Sequence, residues 1–379
     1  MKKGFAYYPF FAILALLVLF WYGIAKRPGK IVIGVIGPLT GQAAPYGVSH
    51  KNGIKLALDH FIHSGGIKNK KVEVRFFDDG NNKIRAAAGC RDLIYNDGAL
   101  AIIGAISSDN TMNLQRICEK ARVPLITAVS TNPFITRVNF RYSFRCLSDD
   151  DVQARALLQH TSKSLNLRRI AIIHDSNKYG SQGARTYESL SSQEGQLIVA
   201  KEEYEGGDTN FSAQLQRIRG SNPDGILVWG LFKESALIVR QIREMGIAVP
   251  IFGGDGMAVK DFLFLAGPSG DGVVLTFPFI PSNGGEKARD FVTKYKRAFG
   301  TEPDSFAAHA YDAFMILSHA LVNSEGSPPS VREELAKKKE YEGVCGKGGF
   351  DSTGNETRPV FLAQVDSGQF APMSIGEKQ

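Results

Sequence analysis

The chain has 379 residues, 43% of them hydrophobic, and a formal net charge of +7. It is too long for one small core, and its length predicts two domains. The Lys and Arg residues are scattered, with no basic stripe carrying interleaved aromatic residues, so nothing in the composition indicates a nucleic-acid-binding protein.

The N-terminus predicts export. Two lysines precede an uncharged run over residues 10–25, which is the layout of a secretion signal. Gly23 and Ala25 are small residues at a spacing that suits cleavage. The run also approaches the roughly 20 residues of a membrane-spanning helix. We predict that residues 1–29 are a signal peptide or an inner-membrane anchor, that the protein is periplasmic or otherwise extracytoplasmic, and that it contacts the membrane only there.

From residue 30 onward, segments with strand and helix patterns alternate. The predicted strands of the first half are 30–36, 71–77, 99–105 and 123–128, and the predicted helices are 54–62, 83–96 and 111–121. This βαβα succession predicts a parallel sheet covered by helices.

The same alternation restarts in the second half. Its predicted helices are 152–164, 182–193, 211–219 and 235–245, and its predicted strands are 168–175, 197–204, 224–230, 249–255 and 272–279. A second parallel sheet of similar size follows from this pattern. The fold class is therefore α/β, with two doubly wound parallel-sheet lobes.

The remaining segments are too few to bury a core of their own. They comprise predicted helices at 286–300 and 305–324, a Gly-rich hairpin-like segment at 345–355 and a final strand at 359–366. We expect them to pack on the two lobes, so that the chain crosses between the lobes more than once. Several crossings favour a hinge over a single flexible tether.

The four cysteines form no C-x-x-C pair, which disfavours zinc and dithiol redox sites. Cys90 and Cys118 lie in successive predicted helices and could form a disulfide in an oxidising compartment. The alternative, which we favour slightly, is that all four are small buried apolar residues. The histidines show no metal-ligand spacing. The sequence therefore predicts neither a metal nor another cofactor.

A glycine-rich loop follows the first predicted strand but lacks nucleotide-binding spacing. Gly34, Gly37 and Gly41 are spaced G-x-x-G-x-x-x-G, whereas a dinucleotide site needs G-x-G-x-x-G and a P-loop needs G-K-[ST]. Hydrolase motifs of the G-x-S-x-G and H-E-x-x-H types are also absent from the sequence. We therefore expect a protein that is not an enzyme.

Ligands of open parallel sheets bind beyond the carboxyl ends of the strands. The residues after the predicted strands are Tyr46, Ser107, Ser108, Val129, Ser130 and Thr131 in the first half, and Tyr179, Leu231, Phe232 and Asp255 in the second. Hydroxyls beside helix N-termini suit a carboxylate, and an acid suits an ammonium group. Together these residues could clamp a zwitterion. Taken singly, Ser108 and Thr131 could be helix caps and Asp255 a turn residue.

Several of these segments carry a resemblance to a known family. The segments are "IGVIGPLTGQAAPYG", "ISSDNT", "VPLITAVSTNP", "IAIIHDSNKYG", "FGGDG" and "AYDAF". Their order and spacing resemble the periplasmic leucine/isoleucine/valine-binding proteins, the solute receptors of branched-chain amino acid ABC transporters. The resemblance extends from about Ile31 to the C-terminus. It implies a type I periplasmic binding fold, a monomer that closes on its ligand like a Venus flytrap, and delivery of the ligand to ABC transporter permease subunits.

The resemblance also implies roles for the first-lobe residues. Ser108 matches the serine that holds the ligand carboxylate, and Thr131 matches a threonine that contacts the same zwitterionic head. Val129 matches a residue that contributes its backbone there. Tyr46 replaces a large aromatic residue of the first loop. Ser107 stands where the best-known members have a cysteine, so their first-lobe disulfide is absent from this chain.

In the second lobe, Asp255 stands where the family uses an acid for the ammonium group. Tyr179 matches the tyrosine of an H-D-x-x-x-Y-G segment that covers the ligand. Leu231 or Phe232 stands near a second-lobe aromatic residue of the family. These pocket residues differ from those of the branched-chain receptors, so the side-chain specificity stays open.

A three-stranded hinge is implied as well. The predicted crossings lie near Leu147–Asp150, Thr276–Phe279 and Asn355–Pro359. They divide the chain into a first lobe of residues 30–148 and 279–356 and a second lobe of residues 149–278 and 357–379. We expect a receptor for a branched-chain or other apolar amino acid. The alternatives are a ligand-sensing receptor of the same fold and a receptor for amides, urea or aromatic acids.

Overall fold

The computed structural model describes residues 29–281 and 285–373, and its first sheet has five parallel strands. They are β1 (Gly29–Gly37), β2 (Lys70–Asp78), β3 (Ala101–Ile103), β4 (Leu125–Thr127) and β5 (Ser143–Arg145), in the order β2-β1-β3-β4-β5. The Ile and Val side chains of β1 are buried, as a parallel sheet covered on both faces requires. Strand β5 was not predicted from the sequence, since its three residues are too few to show a period.

Four helices connect these strands. They are α1 (Ala44–His63), α2 (Lys83–Tyr95), α3 (Ser108–Ala121) and α4 (Phe134–Arg137). Helix α3 begins three residues earlier than its apolar spacing predicted, because the Ser107 hydroxyl accepts a hydrogen bond from the Asn110 N–H at 3.3 Å and caps it. That earlier start places Ser108 in the first turn of α3, at the positive end of the helix dipole.

The second sheet contains five parallel strands, which are β6 (Arg169–Asp175), β7 (Leu197–Tyr204), β8 (Gly225–Trp229), β9 (Ile251–Gly253) and β10 (Val274–Phe277). Its helices are α5 (Asp150–Leu158), α6 (Lys178–Ser191), α7 (Ser212–Gly220), α8 (Phe232–Glu244) and α9 (Lys260–Ala266). The predicted helix over 152–164 is instead α5 followed by a π-helical turn over Gln159–Ser164. Helix α6 begins four residues earlier than predicted, because the Asn177 side chain caps it.

The C-terminal part returns to the first sheet before it joins the second. Helices α10 (Gly285–Phe299), α11 (Ser305–Asn323) and α12 (Pro328–Ala336) precede a hairpin of β11 (Tyr341–Gly343) and β12 (Gly346–Gly348). Helix α11 packs so closely on α1 that a Cβ at Gly53 would lie 2.1 Å from the Ala307 carbonyl oxygen. These segments therefore complete the core of the first lobe, as expected.

Two predictions for the C-terminal part were wrong in detail. The segment predicted to be hairpin-like, 345–355, contains a turn closed by an antiparallel bridge between Phe350 and Glu356, but the β11–β12 hairpin begins earlier and turns at Val344 and Cys345. The predicted final strand, β13 (Phe361–Asp366), is followed by a further strand, β14 (Gln369–Met373). Both pair antiparallel at one edge of the second sheet, which has the order β14-β13-β10-β9-β8-β6-β7. The Ser367-Gly368 turn between them has two positive φ angles, which the alternation of apolar residues does not reveal.

Three passages of the chain connect the two lobes, after β5, after β10 and before β13. Two of them are joined by a hydrogen bond of 2.8 Å from the Ser148 hydroxyl to the Arg358 carbonyl. A buried ion pair lies beside them, in which Arg145 contacts the Asp149 carboxylate at 3.2 Å and the Asn355 amide oxygen at 2.7 Å. The described fold thus has the predicted multi-strand hinge, while the stated lobe boundaries stay a prediction.

Neither the leader nor a disulfide forms part of the described structure. The predicted signal or anchor lies outside the described residues, and within those residues no helix combines the length and apolarity of a membrane span. The Sγ atoms of Cys90 and Cys118 are 3.7 Å apart, and each of the four cysteines is a free thiol. Cys90, Cys118 and Cys146 are buried, as the apolar interpretation predicted, whereas Cys345 is only half-buried.

Candidate functional site

A cavity of about 520 Å³ lies between the carboxyl ends of the strands of the two sheets. Nine of the ten residues predicted for the site line it, and Phe232 does not. The predicted residues on its wall are Tyr46, Ser107, Ser108, Val129, Ser130, Thr131, Tyr179, Leu231 and Asp255. They come from both halves of the chain. The residues that follow the carboxyl ends of the strands in the two sheets therefore lie together around one cavity.

On the first-lobe wall, the α3 N-terminus and the segment after β4 lie side by side. Ser107 caps α3, which leaves the Ser108 hydroxyl free of that task. Thr131 caps no helix, and its buried hydroxyl has no hydrogen-bond partner among the described residues. A helix N-terminus with two free hydroxyls is suited to an anionic group. The capping interpretation of Ser108 and Thr131 was therefore wrong.

Ser130 and Val129 take different places in the same segment. The Ser130 hydroxyl bonds to the Ile106 carbonyl at 2.9 Å and to the Thr111 hydroxyl at 2.6 Å. These bonds join two loops at the sheet edge and leave the hydroxyl occupied inside the protein. Val129 presents an apolar side chain to the cavity. The Ser130 hydroxyl is therefore bonded within the protein, whereas Val129 lines the cavity.

The second-lobe wall is centred on Asp255, which is 2% exposed. Its Oδ1 atom accepts a hydrogen bond of 3.1 Å from the Tyr179 hydroxyl, and its Oδ2 atom has no partner among the described residues. Burial raises the pKa of Asp255 to about 7, against which the bond from Tyr179 acts. A carboxylate held this way binds a cation well, because the cation replaces lost hydration.

Close packing around Asp255 requires a glycine on each side of it. A Cβ at Gly254 would lie 2.6 Å from the Tyr179 hydroxyl oxygen, and one at Gly256 would lie 2.5 Å from the Gly230 carbonyl oxygen. The Gly256 N–H also donates to the Tyr179 hydroxyl at 2.9 Å. Asp255 is therefore more than an ordinary turn residue, because its loop is shaped around the tyrosine that contacts its carboxylate.

A second acid, Asp150, was not among the predicted site residues and does not line the cavity, but its backbone N–H donates to the Thr131 carbonyl at 2.9 Å. It is fully buried at the first position of α5, and neither carboxylate oxygen has a hydrogen-bond partner among the described residues. Burial raises the pKa of Asp150 well above its usual range, and the charge of Asp255 raises it further. The Thr131 hydroxyl lowers that pKa but does not reach hydrogen-bond geometry. The "SDDD" segment at a predicted crossing was the available signal.

Tyr46 closes the cavity by joining the two lobes. Its hydroxyl donates to the Gly256 carbonyl at 2.5 Å and accepts from the Phe232 N–H at 3.0 Å. Burial raises the pKa of Tyr46 well above its usual range, so the hydroxyl stays protonated and able to donate. Phe232 stacks edge-on against the Tyr46 ring at 5.5 Å, behind the cavity wall. Leu231, its neighbour, is the residue that faces the cavity.

The rest of the cavity has an apolar chamber and a polar rim. The chamber adds Ala43, Ile106 and Phe306 to the residues already named, and the exposed rim adds Asn81, Lys83, Ile84, Asp109 and Asn177. Phe306 comes from α11, far away in sequence, and packs edge-on to the Tyr46 ring at 5.0 Å. Sequence patterns marked Phe306 only as a helix residue, because its place in the cavity depends on how α11 packs on α1.

Comparison with known proteins gives one consistent result. The profile of the family described as "Periplasmic binding protein" matches residues 30–369. An "Amino acid binding protein" of Pseudomonas aeruginosa is 30% identical over 352 residues, which cover 90% of this chain and 92% of that protein. Family members are substrate-binding proteins of transporters, and the family is extracytoplasmic and not an enzyme family.

Two solved structures show how different the ligands on this fold are. The substrate-binding protein of a branched-chain amino acid transporter from Streptococcus pneumoniae, in complex with isoleucine, has a TM-score of 0.84 and 29% identity, over 91% of this chain and 99% of that one. An ABC transporter solute-binding protein from R. palustris, in complex with benzoate, has a TM-score of 0.83 and 18% identity, over 91% of this chain and 96% of that one. The second likeness establishes the fold alone.

Proposed function

The chain belongs to the periplasmic binding protein family, and from that premise we propose that it captures an amino acid with an apolar side chain and delivers it to a membrane permease. The ligand enters between the lobes, and closure buries it in the cavity. The protein carries out no reaction on it. The permease then recognises the closed form, as the resemblance to ABC transporter receptors implies.

The observation that carries this proposal is the pair formed by the buried Asp255 carboxylate on one side of the cavity and the hydroxyls of Ser108 and Thr131 on the other. The Asp255 Oδ2 atom has no hydrogen-bond partner among the described residues. Buried charges of this kind are unfavourable until a cation pairs with them. A zwitterion brings an ammonium group to this wall and a carboxylate to Ser108 and the α3 N-terminus.

The same pair argues against aromatic acids as ligands. A benzoate would place its carboxylate on the first-lobe wall but offer no cation to Asp255. Bound benzoate would bury the Asp255 carboxylate without a compensating cation. The negative charge of benzoate would also repel that carboxylate. Urea and simple amides lack both charges. The chamber formed by Ile106, Leu231 and Phe306 instead suits an aliphatic or aromatic side chain.

The test is a thermal-shift and calorimetric screen of the exported protein, refolded to remove any ligand acquired during expression. The panel is leucine, isoleucine, phenylalanine, the matching amines and carboxylic acids that lack one of the two charges, benzoate and urea. We expect an increase in Tm with at least one intact amino acid, because a ligand that binds only the folded state stabilises it. Equal responses to an amino acid and its deaminated analogue would refute the zwitterion site.

A further inference from the structure

A second cavity, of about 290 Å³, lies at the outer edge of the first sheet. It is lined by α4, the loop over residues 138–142, β5, α12 and the turn over residues 351–354. It shares no lining residue with the cavity between the two sheets, which is called the amino-acid cavity below. None of these elements has a task in the proposed binding reaction. The cavity therefore needs an explanation of its own.

Its wall is strongly basic. Four cationic side chains line it, which are Arg137, Arg141, Arg332 and Lys339, against one acid, Asp351. Arg137 is already paired with Asp149 at 3.1 Å and with Asp151 at 2.5 Å. Within the described residues, the other three cations form no ion pair shorter than 4 Å. An unneutralised group of this kind attracts an anion.

Two contacts hold the basic wall in place. The Arg332 Nε atom donates to the Arg141 carbonyl at 2.8 Å, which orients the Arg332 guanidinium and leaves its terminal nitrogens available. Asp351 is largely occupied by its own turn, because its Oδ1 atom accepts from the Thr353 N–H at 2.8 Å and from the Asn355 N–H at 3.0 Å. These bonds hold Asp351 in its ionised form, so it offsets one positive charge, and the wall of four cations and one acid keeps a net positive charge.

A buried hydroxyl provides an independent observation. Ser143 lines the cavity at the start of β5, is 3% exposed, and its hydroxyl has no hydrogen-bond partner among the described residues. Buried hydroxyls without a partner are uncommon and destabilising. An anion in the cavity would accept this hydrogen bond and pair with the guanidinium groups at the same time.

We propose that this cavity binds a phosphate group, held by Arg141, Arg332, Lys339 and the Ser143 hydroxyl. Tetrahedral phosphate matches the planar N–H pattern of guanidinium groups and accepts from hydroxyls through its remaining oxygens. The volume admits a free phosphate ion or the phosphate of a lipid headgroup, which share this chemistry. The site is separate from the amino-acid cavity and does not depend on the function proposed for that cavity.

The experiment measures binding of inorganic phosphate to the full chain by calorimetry and thermal shift, in chloride buffers of matched ionic strength. A parallel arm measures sedimentation with vesicles of phosphatidylglycerol, with phosphatidylcholine vesicles as reference. Arg141→Gln should weaken the response to the phosphate source at least about fivefold, since it removes a charged hydrogen bond. Arg297→Gln, an exposed arginine of α10, is the matched control and should behave as the wild type.

Ser143→Ala separates binding from folding. It removes a hydroxyl that is unsatisfied without the anion, so the variant should be at least as stable as the wild type in chloride, yet gain less from phosphate. A response to phosphate alone identifies a free-ion site, and an Arg141-dependent response to anionic vesicles alone identifies a headgroup site. The proposal is overturned if the wild type responds to neither, or if the Arg141 and Arg297 variants lose the response equally.

Discussion

The two walls of the amino-acid cavity differ in the cost of their unpaired polar groups. The first-lobe wall presents hydroxyls at a helix N-terminus, and the free hydroxyl of Thr131 is neutral. The second-lobe wall presents Asp255, a buried carboxylate with one unpaired oxygen among the described residues. An unsatisfied hydroxyl costs about 1–3 kcal/mol, whereas an unpaired buried charge costs several times more. The contribution of the second-lobe wall to folding stability therefore depends more strongly on the ligand and on pH.

The largest expected effect comes from removing the acid of the second wall. Asp255→Ala should weaken amino-acid binding by about 1.5–3 kcal/mol, or roughly 10- to 150-fold, because the ammonium group loses a charge-assisted hydrogen bond. The unliganded variant should be no less stable than the wild type, since the buried charge is gone. Calorimetry and urea unfolding measure the two quantities. Asp366→Ala, an exposed acid on β13, is the control, and unchanged affinity in the Asp255 variant would exclude its role.

The pH dependence of folding stability should also be set largely by Asp255 on the second-lobe wall. The pKa of Asp255 is about 7 in the folded protein and close to 4 when unfolded, so the folded state holds the proton over a wider range. The stabilisation from this proton is complete below about pH 4 and is lost as the pH rises to about 7. We expect the unfolding free energy without ligand to fall by about 2 kcal/mol from pH 5 to 7.

Urea unfolding at several pH values, with Asp255→Asn beside the wild type, measures this slope. The variant should show a shallower slope, though not a flat one, since burial also raises the pKa of Asp150 well above its usual range and that of Asp175 to about 6. Ligand affinity should change in the opposite direction and increase over the same range, because the ammonium group binds the ionised carboxylate. Identical slopes in both proteins would contradict the assignment.

The contact between the walls gives a smaller effect. Tyr46→Phe removes both interlobe hydrogen bonds of its hydroxyl and should weaken ligand binding by about 1–2 kcal/mol, roughly 5- to 30-fold, while each lobe stays folded. Tyr187→Phe is the matched control, because its hydroxyl bonds to Thr161 at 2.8 Å and to Gln196 at 3.0 Å within one lobe. That variant should lose stability and keep its affinity. If both variants behave alike, Tyr46 has no closing role.

The smallest effect separates two adjacent serines of the first wall. Ser107→Ala should lower the unfolding free energy by about 1 kcal/mol, since Ser107 caps α3. Ser108→Ala should instead lower ligand affinity by about 1 kcal/mol, roughly fivefold, with little change in stability. Paired unfolding and calorimetry measurements compare them. The reverse assignment of the two effects would place the cap at Ser108 and remove it from the site.

Much of the site could be predicted because parallel strands end at a shared edge. Ser108 follows β3, Thr131 follows β4, and Asp255 follows β9, so the apolar runs before them were enough to bring them together. Capping was harder to predict. Whether Ser107 or Ser108 starts α3 depends on a single side-chain hydrogen bond, and both residues suit the position.

What could not be predicted lies where distant segments meet. Phe306 reaches the cavity because α11 packs on α1, and Phe232 lies behind Tyr46 because the lobes meet at the Tyr46 hydroxyl. Asp150 belongs to a run of three acids whose members look equivalent in sequence. Only the hinge decides that it is fully buried without a hydrogen bond to its carboxylate, whereas Asp149 pairs with Arg145.

The sequence by itself determined the two parallel sheets, the family and the strand ends that carry the site, because these follow from local patterns of apolar residues and short motifs. The tertiary structure alone decided which hydroxyls are free, which acids are left unpaired and which aromatic residues enclose the cavity. Those properties depend on burial and on contacts between residues far apart along the chain, where a displacement of a few ångströms makes or breaks a hydrogen bond.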